Sequence, residues 1–386
     1  MKKIIAMILA LTMCLSLAAC GGSSAPTATQ APAATQAPAA GETPAQPEAE
    51  ELAPLSITVS GIDGSVNFTP IYIALEKGMF DAVNLDVDYV LFGNGPVQME
   101  ALASDSWDLG FTGVGGVLSG LISYDATLVG ATNTDNGTQT IWVNSDSAIA
   151  KAGAGHNTVD SKIVGDAESW KGTEVLCNSG TVLEYLLIKT LGGFGLTIDD
   201  VTVITMDPPT ANASFMAGTG DACVITGAIS FAEDKADYVQ ASCGNWAKTG
   251  LECSIVANTK SYQNPETYDA MVRFLKVYWE TIDWMNANPA EAAQMCSDFN
   301  AECGTTLEVE TASLYLAQDP YYSAEEVLSS MTTKSAAGDY SVMEENLEGI
   351  LSFFITTGKY KEGDDQKMLG HMDTTLMTDV VAALGK

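Results

Sequence analysis

Two series of strand and helix patterns, alike in order, constrain this chain more than any other feature. The first opens with "SITVSGI" (56–62), a strand pattern, then "TPIYIALEKGMF" (69–80), a helical one closed by Gly78, and "LDVDYVLF" (85–92), a second strand. A helix at "GPVQMEALASD" (95–105), a strand at "WDLGFTG" and a helix at "GGVLSGLISY" complete it. The second series runs "GTEVLCN" (172–178), "TVLEYLLIKTLGGFG", "DVTVITM" (200–206), "TANASFMAG", "DACVITG" (221–227) and "AISFAEDKA". Strands that alternate with helices at this spacing predict parallel sheets covered by helices. The fold class is therefore α/β, with two parallel-type sheets in two lobes.

The segments between and after these series read as crossings. "TLVGATNTDNGTQTIWVNSDS" (127–147) and "LECSIVANTKSY" (251–262) are β-rich with polar interruptions, as two hinge strands passing between lobes would be. We assign 55–134 with 259–386 to the first lobe and 135–258 to the second. From Pro265 onward the tail is helical, and its stripe of Phe274, Tyr278 and Trp284 reads as core packing. The Gly- and Ala-rich stretch 148–169 reads as a flexible surface insertion.

Ahead of the lobes, Lys2 and Lys3 precede an apolar run too short to span a bilayer, which needs about 20 such residues. Residues 1–19 read as an export signal. The order Leu17-Ala18-Ala19-Cys20 resembles the bacterial lipobox, which implies cleavage before Cys20 and lipid on its sulfur and amino group. The alternative is an ordinary secretory signal with a coincidental cysteine. Residues 20–54, rich in Ala, Pro, Thr and Gln, hold no aromatic residue and read as a disordered tether from that anchor on the outer face of the cell membrane.

The formal charge of −32 would repel nucleic acid and anionic headgroups, so nucleic-acid binding is excluded. Beyond the leader and anchor stand Cys177, Cys223, Cys243, Cys253, Cys296 and Cys303. Neighbours in sequence suggest pairing Cys243 with Cys253, Cys296 with Cys303, and Cys177 with Cys223; burial as small apolar side chains is the alternative. The histidines His156 and His371 stand alone and no Cys-x-x-Cys occurs, so neither a metal nor a cofactor is expected. No nucleophile elbow or phosphate loop appears either.

"FTPIYIALEKGMFDAVNLDVDYVLFGNGPVQMEALASDSWDLGFTG" resembles the opening lobe of extracytoplasmic solute-binding proteins of the nitrate, sulfonate, taurine and thiamine-precursor group. The residues that carry the likeness are Pro70, Tyr72, Ala74, Gly78, Phe80, Gln98, Ala101, Leu102, Asp108 and Gly110. "WKGTEVLCNSGTVLEYLLIKTLGGFGLTIDDVTVITMDP" is similar to the second-lobe signature. The resemblance implies the two-lobed periplasmic-binding-protein fold of type II and capture of a small solute between hinged lobes. It also implies delivery to an ABC permease with its ATPase, without catalysis, by a protein that works as a monomer.

In open α/β sheets ligands bind beyond the carboxyl ends of strands. That rule selects Asp63, Ser65, Asn67 and Phe68 after the first strand, Asn94 and Gly95 after the second, and Thr112 and Gly113 after the third. The crossing strand adds Asn133 and Asp135. The second lobe adds Asn178, Ser179, Gly180 and Thr181, then Asp207 and Thr226. "NSGT" (178–181), ahead of a helix, carries most weight: its N–H groups and hydroxyls either cradle an anion or simply cap the helix. Asp63 and Asp135 either meet a ligand amine or cap turns.

Arg273, the one arginine, lies on the tail helix and away from the expected cleft. Without a guanidinium clamp the ligand is expected to be a zwitterion of the amino-sulfonate kind, or else a nitrogen heterocycle such as a pyrimidine thiamine precursor. A sensor or adhesin domain, and an enzyme resembling pyrimidine synthases on the same lobes, are the other readings.

Overall fold

A computed structural model describes residues 52–230, 237–336, 338 and 340–386. The leader, Cys20, nearly all of the tether and the end of "AISFAEDKA" lie outside the described residues. The strands are β1 (Leu55–Ile62), β2 (Leu85–Phe92), β3 (Leu109–Thr112), β4 (Ala126–Thr134), β5 (Thr140–Asn144), β6 (Glu174–Cys177), β7 (Thr202–Thr205), β8 (Ala222–Ile225), β9 (Tyr238–Cys243) and β10 (Glu252–Asn258). They build two five-stranded sheets with the same plan, β2-β1-β3-β10-β4 and β7-β6-β8-β5-β9.

Each sheet is mixed rather than parallel throughout. β1 runs parallel to β2, with Leu55 opposite Leu85 and Ile62 opposite Phe92, and parallel to β3. β10 then lies antiparallel to β3 and to β4. In the second sheet β6 is parallel to β7 and β8, whereas β5 is antiparallel to β8 and β9. A chain arriving from the other lobe enters at the carboxyl ends of the parallel strands, so it must run against them. For the same reason β10 belongs to the first sheet, and sheet membership changes near residue 251 rather than 258.

The crossings lie side by side. Asp135 N–H donates to Leu251 O at 3.0 Å, and Gly244 N–H to Gln139 O at 3.0 Å. Asn136 Oδ1 accepts from Leu251 N–H at 2.9 Å and from the Thr249 hydroxyl at 2.6 Å.

Helices cover the sheets as the spacing predicts. α1 (Thr69–Glu76) has Pro70 in its first turn, and the chain leaves it through Gly78 at φ 63°, a left-handed turn that favours glycine. α2 (Gly95–Glu100) and α3 (Val114–Ser123) follow β2 and β3. The helix Pro265–Ala287 is capped by Asn264, whose side chain accepts from Glu266 and Thr267 N–H. Its Met271, Phe274, Leu275 and Tyr278 are buried in the first-lobe core, where Phe274 stacks on Phe80 with ring centroids 5.1 Å apart. Each such side chain contributes roughly 1.5–3 kcal/mol by leaving water. Trp284 departs from that stripe: it is half-buried, with the Lys77 ammonium 4.0 Å above its ring.

Stretch 148–169 is not a loose insertion. Ile149, Ile163 and the following Trp170 are buried, Trp170 Nε1 donates to Val164 O at 3.2 Å, and Val164 N–H donates to Ala241 O at 2.9 Å. Ile149 and Trp170 belong to the core of the second lobe and fasten the stretch to it.

None of the three cysteine pairings forms, since Cys177, Cys243, Cys253, Cys296 and Cys303 are thiols. Cys223 lies opposite Leu176 in the β6–β8 register, so Cys177, one residue on, points to the other face of the sheet. Cys296 and Cys303 are two helical turns apart, about 10 Å, beyond the roughly 7 Å a disulfide spans. Cys243 and Cys253 belong to different sheets.

Candidate ligand-binding cleft

The carboxyl ends of both parallel strand sets open on a shared cleft with two chambers. The first, of about 470 Å³, is lined by Asn94, Gly95, Pro96 and Gly113–Gly116 from the first lobe and by Asn178, Thr181 and Val182 from the second. Phe354 and Lys359 from the tail close it. The second, of about 550 Å³, is lined by Asp63, Gly64, Ser65 and Gly93 on one side and Pro208, Pro209, Thr226 and Gly227 on the other, with Thr138, Asn300, Thr305 and Tyr315 between. Gly95, Gly113 and Asp135 line both. These sizes suit a small organic molecule.

Glycine at the mouths of α2 and α3 is a packing requirement. A Cβ on Gly95 would stand 2.7 Å from Gly116 N, and one on Gly116 would stand 2.0 Å from Thr112 Oγ1. The two helix starts therefore converge on one wall of the first chamber. Asn94 caps α2, accepting from Val97 N–H at 3.0 Å, which leaves its amide NH₂ for the cleft. Ser65 makes no capping bond, so its hydroxyl is available.

Several expected contacts stand elsewhere. Asn67 and Phe68 are buried, and Phe68 stacks on Phe299 with centroids 5.7 Å apart. Thr112 is buried under Gly95 and Gly116. Asn133 is buried too, accepting from the Thr132 hydroxyl at 2.7 Å and donating to Thr134 O at 2.6 Å. Asp207 caps the helix Pro208–Met216 through Thr210 N–H at 3.0 Å and the Thr210 hydroxyl at 2.8 Å, and these bonds hold its carboxyl below the ordinary range.

At "NSGT" the structure favours capping over an anion cradle. Gly180 N–H donates to Glu184 Oε2 at 2.8 Å, and Thr181 Oγ1 accepts from Leu183 N–H at 3.2 Å while donating to Asn178 O at 2.6 Å. Ser179 Oγ meets Thr205 Oγ1 at 2.8 Å. The Gly180 and Leu183 N–H groups at the start of the Val182–Gly192 helix are thus engaged, one of them by a carboxylate. Asn178 and Thr181 reach the cleft; Ser179 and Gly180 do not line it.

Sequence reasoning missed the cleft's cation. Lys359, from the tail, donates to Gly180 O across the lobes at 3.2 Å, with its ammonium 4.6 Å from the Phe354 ring centroid. Partial desolvation pulls that ammonium below the usual lysine range. Arg273 is committed elsewhere, to Ala53 O at 2.6 Å and to Asp269 at 2.6 Å.

At the seam, Asp135 is half-buried, its Oδ2 3.6 Å from where a Gly113 side-chain carbon would begin. Behind it Asp319 is fully buried, and its Oδ1 accepts from Gly137 N–H at 2.8 Å and Asn136 N–H at 3.0 Å. Burial, and then the charge of Asp319, push the Asp135 carboxyl up. Asp319 is raised by burial as well, but its two backbone donors favour the ionised form, so of this pair Asp135 is the one that holds the proton.

No protein-family model matches the chain. A Brucella abortus (strain 2308) protein named only as a binding protein is 29% identical over 300 residues, 76% of this chain and 83% of its own. A Brachyspira hyodysenteriae protein named as an ABC transporter periplasmic binding protein is 24% identical over 68% of this chain and 75% of its own. One of Bacillus subtilis (strain 168), named for binding aliphatic sulfonates, is 28% identical over 60% of this chain and 67% of its own. Among solved structures, the aliphatic sulphonate binding protein of Escherichia coli superposes with a TM-score of 0.61 at 17% identity, over 82% of this chain and 97% of that one. The alkanesulfonate-binding protein of Xanthomonas axonopodis pv. citri, bound to MOPS, does so with a TM-score of 0.59 at 17% identity, over 83% and 99%. The sequence relatives are named as binding proteins and not as enzymes. The chain is accordingly similar in sequence to proteins named as binding proteins, one of them of an ABC transporter, and it has the two-lobed type II fold of these solved structures.

Proposed function

We propose that the protein captures a small organic sulfonate between its lobes, outside the cytoplasm, and hands it to an ABC permease and its ATPase. The observation that carries this reading is Lys359. It lines the first chamber beside Asn178 and Thr181, and its ammonium donates to the neutral Gly180 carbonyl of the opposite lobe and lies over the Phe354 ring. A sulfonate oxygen is a better partner for an ammonium than a neutral carbonyl, because the hydrogen bond is then charge-assisted on both sides. A ligand touching both walls stabilises the closed arrangement by its differential affinity for it. The names and ligands of the relatives support the same class.

In this reading the lobes are those expected from the sequence, 55–134 with 259–386 and 135–258, with the second boundary drawn back to about 251 because β10 (252–258) lies in the first sheet. Asp63, Ser65, Asn94, Gly95, Gly113, Asp135, Asn178, Thr181 and Thr226 serve as ligand contacts, one copy of the chain suffices, and lipid on Cys20 tethers it. The test is thermal stability of the protein against sulfonates, nitrate, pyrimidines, amino acids and polyamines. A bound ligand at a hundredfold excess over its dissociation constant stabilises by about 2.7 kcal/mol. A response to pyrimidines with none to any sulfonate would transfer the reading to the heterocycle class. For the anchor, labelled fatty acid should enter the wild-type protein and not Cys20→Ser.

A further inference from the structure

The helical tail meets the second lobe away from the two crossings. Tyr185, on the Val182–Gly192 helix of the second lobe, faces Phe353 of the Val342–Thr356 helix with ring centroids 5.1 Å apart and planes tilted by 43°. Phe353 in turn lies 5.2 Å from Phe354, and Phe354 lies 6.1 Å from Tyr360, so a run of rings passes from the second lobe into the first. Phe354 is buried in the first-lobe core, and Val182 and Tyr185 pack against that same core although their helix belongs to the other lobe. The run ends on the cleft. Phe354 and Lys359 line the first chamber opposite Asn178, Thr181 and Val182, and the Lys359 ammonium donates to Gly180 O at 3.2 Å. Because each lobe carries one ring of the Tyr185–Phe353 pair, lobes that pivot about the crossings at 135–139 and 244–251 must part the two rings to open the first chamber.

We propose that Tyr185 and Phe353 are positioning residues of the first chamber, a ring latch that holds the two lobes together before any solute arrives. Neither ring is among the chamber walls, and each acts through a neighbour that is: Phe353 through Phe354, and Tyr185 through Val182, one helical turn before it. With the rings in contact, the tail wall of Phe354 and Lys359 stands against the second-lobe wall and the chamber is complete. With them apart, its walls separate. The driving force is apolar, since opening returns two half-buried rings to water. The Lys359 ammonium can exchange the Gly180 carbonyl for water or for a ligand, whereas the rings gain no such partner, so the ring contact sets the balance in the empty cleft. A solute that needs the closed form then finds it already populated, and less of its binding free energy goes into closure. The inference rests on the hinged two-lobe reading above and not on the sulfonate.

The experiment measures small-angle X-ray scattering of the full chain without ligand, as wild type, Tyr185→Ala, Phe353→Ala, the double variant and Tyr185→Phe. Loss of a ring pair of this kind changes an open-to-closed ratio by about 2- to 10-fold. Each alanine variant should therefore show a larger radius of gyration than the wild type. The double variant should open no further than either single one, because both remove the same contact. Tyr185→Phe keeps the ring and should scatter like the wild type. Scattering is read well below the thermal midpoint, where a purely structural loss lowers that midpoint and leaves the envelope unchanged. Equal envelopes for the wild type and both alanine variants overturn the proposal, and so does a double variant whose expansion is the sum of the two single ones. If Tyr185→Ala fails to fold, Phe353→Ala on the opposite lobe decides alone. No ligand enters the measurement, so the sulfonate reading stands or falls separately on its own thermal-stability screen.

Discussion

Asp319 Oδ1 accepts the Gly137 backbone N–H at 2.8 Å, which ties the helical tail to the bend where the chain passes from β4 to β5. The same oxygen accepts Asn136 N–H at 3.0 Å, and the Gly137 Cα faces Gln318 so closely that a Cβ would stand 2.1 Å from Gln318 O. Asp319→Ala should leave two backbone donors without a partner. At roughly 1–3 kcal/mol for each such group, the loss of stability should be about 3 kcal/mol, read as a lowered urea midpoint. Asp319→Asn keeps an acceptor oxygen and should lose less. Gly137→Ala should destabilise as well, through the clash, while leaving every donor and acceptor in place.

Lys359 is exposed on the cleft, so its loss should act on binding and not on folding. Charge-assisted hydrogen bonds contribute about 1.5–3 kcal/mol, so Lys359→Ala should weaken a bound sulfonate by about 10- to 100-fold. The midpoint of thermal unfolding without ligand should shift little. Equal sulfonate affinity in the variant and the wild type would remove Lys359 from the site.

The "NSGT" turn separates two hydroxyls that look equivalent in sequence. Thr181 lines the first chamber and caps Leu183 N–H, whereas Ser179 bonds Thr205 and does not line the cleft. Thr181→Ala should therefore lower both sulfonate affinity and stability, the latter by about 1 kcal/mol as for a lost N-cap. Ser179→Ala should change neither by much. Glu184→Gln, which removes the negative charge bonded to Gly180 N–H, should tighten anion binding, with the dissociation constant as the measurement.

Strands were the most legible part of this chain because each is short, β-branched and bounded by turn residues. "SITVSGI" and "LDVDYVLF" became β1 and β2 within a residue of their expected ends. Strand direction was less legible: alternation with helices predicts parallel neighbours, but β5 and β10 arrive from the opposite lobe and run the other way. The 148–169 stretch misled through composition, since Ile149 and Trp170 sit far apart in sequence among glycines and polar residues yet join one core, and Ile163 between them is buried as well. In the cleft, the rule about strand ends finds Asp63, Gly95, Gly113, Asp135 and Thr226 but has no purchase on the tail. Lys359 and Tyr315 come from helical segments whose path over the lobes is set by tertiary packing, and a lone lysine after "ITTG" gives no local signal of that path. The same rule cannot tell a polar residue facing the cleft from one facing the core, which is why Asn67, Thr112 and Asn133 were misplaced.

Glu252 gives the fold a pH dependence of definite sign. Its side chain is buried in β10 with Oε1 unpartnered, and burial pushes its carboxyl up from 4.5 to about 7, although the Tyr322 hydroxyl draws it back in part. The folded state therefore keeps a proton that the unfolded chain gives up. Below pH 4.5 both states are protonated and Glu252 costs no ionisation free energy. Between that pH and about 7 the unfolded chain binds fewer protons, so stability falls as pH rises, and above about 7 the full cost is present. At 1.36 kcal/mol per unit the cost reaches about 3 kcal/mol. Glu252→Gln, which cannot ionise, should be more stable than the wild type by up to about that amount at pH 8 and nearly equal to it at pH 4. Chemical denaturation of both proteins across that range reads the difference directly, and a gap that stays constant with pH would mean that the Glu252 carboxyl has the same pKa in the folded and unfolded protein.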